Sequence, residues 1–257
     1  MIFQLDSVAR QGRSLERVEH RPWPLPAGRW VMAETREDVL FAHWRVPAEE
    51  IRRHVPDALE VETHDGSAWL GIVASRVTAL RARGMLPVPG LSSFLELDVR
   101  TYVRAADGKP GIWLLSVDAS SGFAVRAGRR GYRLPCFQAR MTLDRAGEWR
   151  DVECARSGER GRVFSGRYRV AGEAFQARPG SLESFLAERY CVYAASDAGK
   201  LYRAEIHHAP WPLQPTEAEI ELTSIAPLEL RGEPLCHASE RQDVVVWPPE
   251  PVPSIRG

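Results

Sequence analysis

Between Arg29 and Trp247 the chain is a succession of short strand-like runs, each cut off by glycine or proline. Such runs fall at 29–33, 38–46, 59–62, 67–78, 94–104, 112–119, 135–144, 148–156, 161–170, 191–195, 201–209, 218–224 and 243–247. Turn signals such as His64-Asp65-Gly66, Asp107-Gly108 and Ala146-Gly147 separate several of them. Only three segments read as helix. The first, 47–55, opens on Pro47 and acids and closes on bases. The second, 122–130, follows Ser120 and Ser121, and the third, 181–190, starts at Ser181. Strands that follow one another directly, without alternating helices, predict a mainly antiparallel α+β fold and argue against a doubly wound sheet.

At 257 residues and 44% apolar, the chain can bury one core of its own. Residues 21–247 are therefore read as a single domain. Residues 1–20 lack periodicity and read as a mobile arm, and the proline-rich 248–257 as a tail that cannot go on pairing. Acids and bases balance at 34 each, and no basic block stands clear of acids, so nucleic acid is not an expected partner. No apolar run is long enough for a membrane span and the start of the chain has no signal core, so a soluble, cytoplasmic protein is expected. Cys136, Cys154, Cys191 and Cys236 lie far apart with no C-x-x-C, and no histidine spacing suits a metal. No cofactor is expected.

Two stretches carry the candidate chemistry. In Phe94-Leu95-Glu96-Leu97-Asp98-Val99-Arg100-Thr101-Tyr102-Val103, odd positions form an apolar face and even positions a polar one. The polar face could meet water or line a hollow, and parity alone does not choose. In Arg129-Arg130-Gly131-Tyr132-Arg133-Leu134-Pro135-Cys136-Phe137, a cysteine follows directly on the proline that opens a strand. Cys136 reads either as a thiolate with its pKa lowered by nearby arginines or as a small buried apolar residue. His43, in an apolar strand, reads as a core residue.

The blocks WRVPAEEIRRHVPDALEVETHDGSAWLGIV, FLELDVRTYV and FAVRAGRRGYRLPCFQARM resemble the YqjF-like family of uncharacterised proteins, over roughly Arg21 to Trp247. More thinly, the V-P-x-x-L-E core, the FLEL acid and the stretch ending at Pro135 are similar to acetoacetate decarboxylase. That resemblance implies a closed, cone-shaped antiparallel β-barrel with flanking helices, often assembled into homo-oligomers. It implies a pocket glutamate at Glu96 and a pocket arginine at Arg36, and it places the Schiff-base lysine on Cys136 and that lysine's neighbour on Phe137. Neither residue can supply the primary amine an imine needs. The two lysines, Lys109 and Lys200, both sit in turn sequences and are expected at the surface.

The resulting expectation is a barrel whose pocket takes a small, anionic organic molecule. Arg36 and Arg100 would hold charge, Glu96 would move protons, Tyr132 would orient a ligand oxygen, and Cys136 and Phe137 would shape the floor. Acid–base catalysis of a lyase or isomerase type without an imine, a non-catalytic binding protein and a structural role on the same barrel all remain open at this level.

Overall fold

A computed structural model describes residues 2–252. Its strands are β1 (Met32–Val46), β2 (Leu59–Val61), β3 (Ala68–Ala82), β4 (Phe94–Ala105), β5 (Pro110–Ala119), β6 (Cys136–Ala146) and β7 (Trp149–Arg156). They continue as β8 (Val163–Val170), β9 (Cys191–Ala195), β10 (Leu201–His207), β11 (Gln214–Leu222), β12 (Leu235–Val246) and β13 (Glu250–Pro251). The helices are α1 (Ile2–Arg13), α2 (Ala48–Arg52), α3 (Gly122–Ala127) and α4 (Leu182–Ala187). All thirteen strands join one sheet.

The pairing closes on itself twice. Strands β5, β6, β7, β8, β11, β12, β1, β3 and β4 form a ring of nine, closed by the pairing of β4 with β5. A second ring of seven runs β12, β1, β3, β4, β5, β9, β10 and back to β12. Five strands, β12-β1-β3-β4-β5, are a wall common to both. Pairing is antiparallel except at β5–β6 and β5–β9, so the expected mainly antiparallel character holds with two parallel contacts that the sequence did not signal.

The ring of nine is filled. Leu40, Ala42, Leu70, Ile72, Leu97 and Val99 of the common wall pack in one cluster with Leu143, Val152, Phe164 and Tyr168. Each fully buried large apolar side chain of this kind contributes about 1.5–3 kcal/mol. The odd positions of β4, predicted to be its apolar face, supply Leu97 and Val99 to this core. His43 is buried as expected and points to the opposite side of β1 from Trp44; its Nε2 lies 2.7 Å from the Tyr102 hydroxyl.

A bulge makes β1 serve both rings along its length. Its register against β3 shifts between Glu37 and Leu40, and Asp38 takes φ 48°. Aspartate tolerates this left-handed backbone better than most side chains, and its carboxylate accepts from Arg150 Nε at 2.8 Å. Before the bulge, Met32, Glu34 and Arg36 share the face toward the ring of seven; after it, Phe41 does.

Both serine caps read from the sequence are made. Ser121 Oγ accepts from Ala124 N and Ser181 Oγ from Ser184 N, at 3.3 and 3.2 Å. The helix expected over 122–130 is α-helical only to Ala127 and continues as a π-helical turn, Gly128–Tyr132. The start of the chain differs from its reading as a mobile arm. Ile2–Arg13 is helical, and Gln11 is fully buried, donating to Thr35 Oγ1 and the Ala79 carbonyl and accepting from Arg81 Nε. Polar anchoring of this kind leaves no apolar stripe to read. The tail also pairs briefly, Glu250–Pro251 against Tyr202 and Arg203. Its remaining residues, 253–257, lie outside the described residues. Among the described residues, no helix is long and apolar enough to cross a membrane, and no group of His, Cys, Asp or Glu is placed to hold a metal ion.

Candidate functional site

The ring of seven encloses a chamber of about 210 Å³. Its walls come from β1, β3, β4, β5, β9, β10 and β12, and α3 with the following π-helical turn covers one side. Most of the lining is apolar, including Phe41, Val73, Leu114, Val117, Ala119 and Val192. The even positions of β4 face this chamber: Phe94, Glu96, Asp98 and Arg100 all line it. The polar face of that strand meets a hollow and not bulk water.

The polar side chains form one connected group. Arg36 Nε donates to Glu34 Oε1 at 2.9 Å and Nη2 to Glu96 Oε1 at 2.6 Å. Arg36 Nη1 reaches Ser75 Oγ at 3.3 Å and lies 3.9 Å from Asp98 Oδ2. Arg100 holds Asp98 through Nε at 2.7 Å and Nη2 at 3.4 Å. Burial raises the pKa of Glu34 and of Asp98, against the opposing pull of the guanidiniums beside them. Burial also works to lower that of Arg36, but the combined field of Glu34, Glu96 and Asp98 wins and raises it. Arg36 therefore stays charged, while Glu34 and Asp98 hold a proton more readily than exposed carboxyls do.

Close approach of these groups needs a gap in β3. Gly71 lies in register between His43 and Arg100. A Cβ there would stand 2.9 Å from the His43 ring and 3.2 Å from Arg100 Cγ. Gly128 plays the same part at the chamber roof, where a Cβ would lie 2.5 Å from Cys136 Sγ.

Of the six residues singled out in the sequence, Glu96, Arg36, Arg100, Tyr132 and Cys136 line the chamber. Phe137 does not. It pairs with Asp118 while Cys136 pairs with Val117, and its ring lies under the Arg156 guanidinium, 3.8 Å from centroid to Cζ. Adjacent strand residues point to opposite faces, so Cys136 and Phe137 cannot both floor one pocket. Cys136 is only 4% exposed among Val77, Phe94, Val117 and Val125. Burial first, then the nearby Glu96, pushes its thiol up to about 12. That is the reverse of the activated thiolate reading. Burial, with Glu34 beside it, likewise pushes Tyr132 up to about 12.

No lysine is among the chamber-lining residues. Lys200 is exposed as expected. Lys109 is not: its side chain is 21% exposed, bonded to Glu205 and set 4.7 Å over the Trp23 ring in a separate cleft. Sequence reasoning does not reach Glu34 and Asp98 as site residues, although each stands two positions along a strand from a residue that it does single out. Arg189, which lines the chamber and is held by Glu62, carries no signal in its own segment.

Comparison with known proteins places this architecture. The model of a family of uncharacterised conserved proteins, DUF2071, matches residues 33–243. The uncharacterised protein YqjF of Bacillus subtilis (strain 168) is 38% identical over 237 residues, 91% of this chain and 97% of that one. Among solved structures, the acetoacetate decarboxylase of Legionella pneumophila superposes with a TM-score of 0.61 at 12% identity, over 92% of this chain and 94% of that one. The enduracididine biosynthesis enzyme MppR complexed with pyruvate gives 0.61 at 14%, over 91% and 93%. An acetoacetate decarboxylase-like enzyme from Sphingomonas wittichii RW1 gives 0.60 at 17%, over 92% and 98%. At these identities the likeness is one of fold. The match over 33–243 and the extent of the likeness to YqjF together make this chain a member of the DUF2071 family.

Proposed function

We propose that the ring of seven strands is the wall of a cone-shaped barrel that binds a small organic molecule, and that its carboxyl groups move protons on that molecule without forming an imine. The observation that carries this reading is the pairing of Glu34 and Glu96 through one guanidinium at the edge of an apolar chamber with no lysine in its lining. Two carboxyls side by side in one largely apolar chamber suit proton transfer to and from a bound molecule. Glu34 and Glu96, the two carboxyls held on that guanidinium, are the groups that exchange protons with the bound molecule. Tyr132 lines the same chamber, and Cys136 serves as a packed wall. The resemblance in fold to enzymes that act on keto acids supports a carbonyl compound as reactant, with the imine step removed.

Native mass spectrometry of gently purified protein tests the binding half. A small molecule released on denaturation, and lost in Ala119→Leu with a cooperative melt retained, is the expected result. Glu96→Gln separates catalysis from binding: turnover of the ligand that remains bound is abolished, beyond any loss of affinity. Turnover per bound ligand left intact would remove Glu96 from the proton transfer, and a wild type that releases its ligand unchanged would be a carrier.

A further inference from the structure

The guanidiniums around the chamber are already occupied. Every nitrogen of Arg36 faces a partner in the protein: Nε has Glu34, Nη2 has Glu96, and Nη1 has Ser75 with Asp98 behind it. Arg100 is spent on both oxygens of Asp98. Arg189 and Arg203, further round the wall, are held by Glu62 and Asp107, which stand outside the lining. His208, also in the lining, is pushed down to about 4 by burial and is neutral near pH 7.

The carboxylates are in the opposite condition. Glu34 and Glu96 each meet Arg36 through Oε1 alone, and among the described residues Oε2 of either makes no hydrogen bond. Neighbouring nitrogens of one guanidinium hold the two side by side. Three carboxyls stand against two guanidiniums in this group, leaving one negative charge in excess when all are ionised. A ligand anion entering here would have to displace a carboxylate from Arg36 and would meet that excess. A donor-bearing cation would complete it.

We propose that this end of the chamber is a subsite for a protonated amine carried on a small apolar body, its N–H groups donating to the free oxygens of Glu34 and Glu96. The inference rests on the chamber being a ligand site, and it replaces the anionic ligand expected from the sequence. The apolar body lies against Phe41, Val73, Leu114 and Val117, which offer no polar partner of their own. Tyr132, which lines the same chamber and feels the charge of Glu34, accepts a further N–H. Arg36 is then the strut that holds two carboxylates parallel, and the ligand ammonium is the charge that balances them.

Three probes sharing one cyclohexyl ring test it by calorimetry near neutral pH: cyclohexylmethylamine, cyclohexanemethanol and cyclohexanecarboxylate. The amine is expected to bind about tenfold or more tighter than either of the others. Its affinity falls by about tenfold or more in Glu34→Gln and in Glu96→Gln, and weakens in the wild type as the pH is lowered. The carboxylate probe binds better to the Gln variants than to the wild type. Should one variant fail to fold, the other and the wild-type pH series read the same contacts. Binding of the alcohol or the carboxylate as tight as that of the amine overturns the amine subsite and leaves the chamber as a ligand site. Amine binding that survives both Gln variants and Ala119→Leu is binding elsewhere, and also overturns the subsite. Absence of binding by all three probes overturns the ligand-site reading, and the subsite falls with it.

Discussion

The five strands common to both rings have two faces that could hardly differ more. One presents Leu40, Ala42, Leu70, Ile72, Leu97 and Val99 to a packed interior. The other presents Glu34, Arg36, Glu96, Asp98 and Arg100 to a hollow. Both faces are covered by protein, so an alternating pattern that ordinarily marks a half-wet sheet marks here a sheet with a filled side and a chambered side. The filled side draws its stability from area removed from water. The chambered side removes charge from water and depends on every charge having a partner.

Breaking one element on each side should show the difference in kind. Arg36→Ala leaves three buried or half-buried carboxyls without their common partner, and a loss of about 3–5 kcal/mol is expected from denaturant unfolding. Lowering the pH should recover part of it by protonating the stranded acids. Leu97→Ala on the other face is expected to lose about 2–5 kcal/mol, with no such recovery, because a cavity does not titrate. If the two losses respond alike to pH, the two faces are not held together by different physics.

A smaller effect sharpens the role of the roof. Gly128→Ala drives a methyl onto Cys136 Sγ, where only 2.5 Å is available, and overpacking of this kind costs about 1–3 kcal/mol. Cys136→Ala in the same chain should return most of that loss. An unrelieved double variant would place the strain elsewhere.

The pH dependence of Glu34 is subtler and has a definite sign. Burial sets its folded pKa above the ordinary glutamate value of 4.5. The folded state therefore keeps this proton longer than the unfolded chain does. Its contribution to stability is largest at and below pH 4.5, declines as pH rises to the folded pKa, and is flat beyond. Measured against Glu34→Gln, the wild type should lose ground as the pH climbs from 4.5. A difference that grows in favour of the wild type would mean a carboxylate stabilised, not desolvated, in the folded protein.

The smallest effect expected is at the ion pairs on the outer surface. Arg169 bonds Glu217 at 2.7 Å, as close as Arg100 holds Asp98, yet both side chains are exposed. Arg169→Ala should leave stability close to that of the wild type, because solvent screens the pair. A loss comparable with that of Arg36→Ala would remove burial as the explanation of the contrast.

Much of this arrangement is legible in the chain, but not all of it. The alternation along β4 separates Leu97 and Val99 from Glu96, Asp98 and Arg100 in the sequence alone, because strand parity is local. Whether the polar set meets water or a hollow depends on β9 and β10 closing over it from about a hundred residues away, which no local pattern records. Glu34 is within reach of the same parity rule, two residues before Arg36, but the bulge at Asp38 hides that face by switching it partway along β1. The expectation that Phe137 lines the pocket comes from carrying over a neighbouring pair by position, and alternation alone argues against it. The docking of α1 rests on Gln11, a polar residue whose burial no apolar periodicity could announce.

This chamber is proposed to handle its ligand through carboxyl groups, with no lysine in its lining. Incubation with 2-keto and 3-keto acids followed by borohydride reduction, read by intact-protein and peptide mass spectrometry, addresses it most directly. A protein of unchanged mass is expected. A reduced adduct on Lys109 or Lys200 would show that an amine reaches bound substrate after all, and would contradict it.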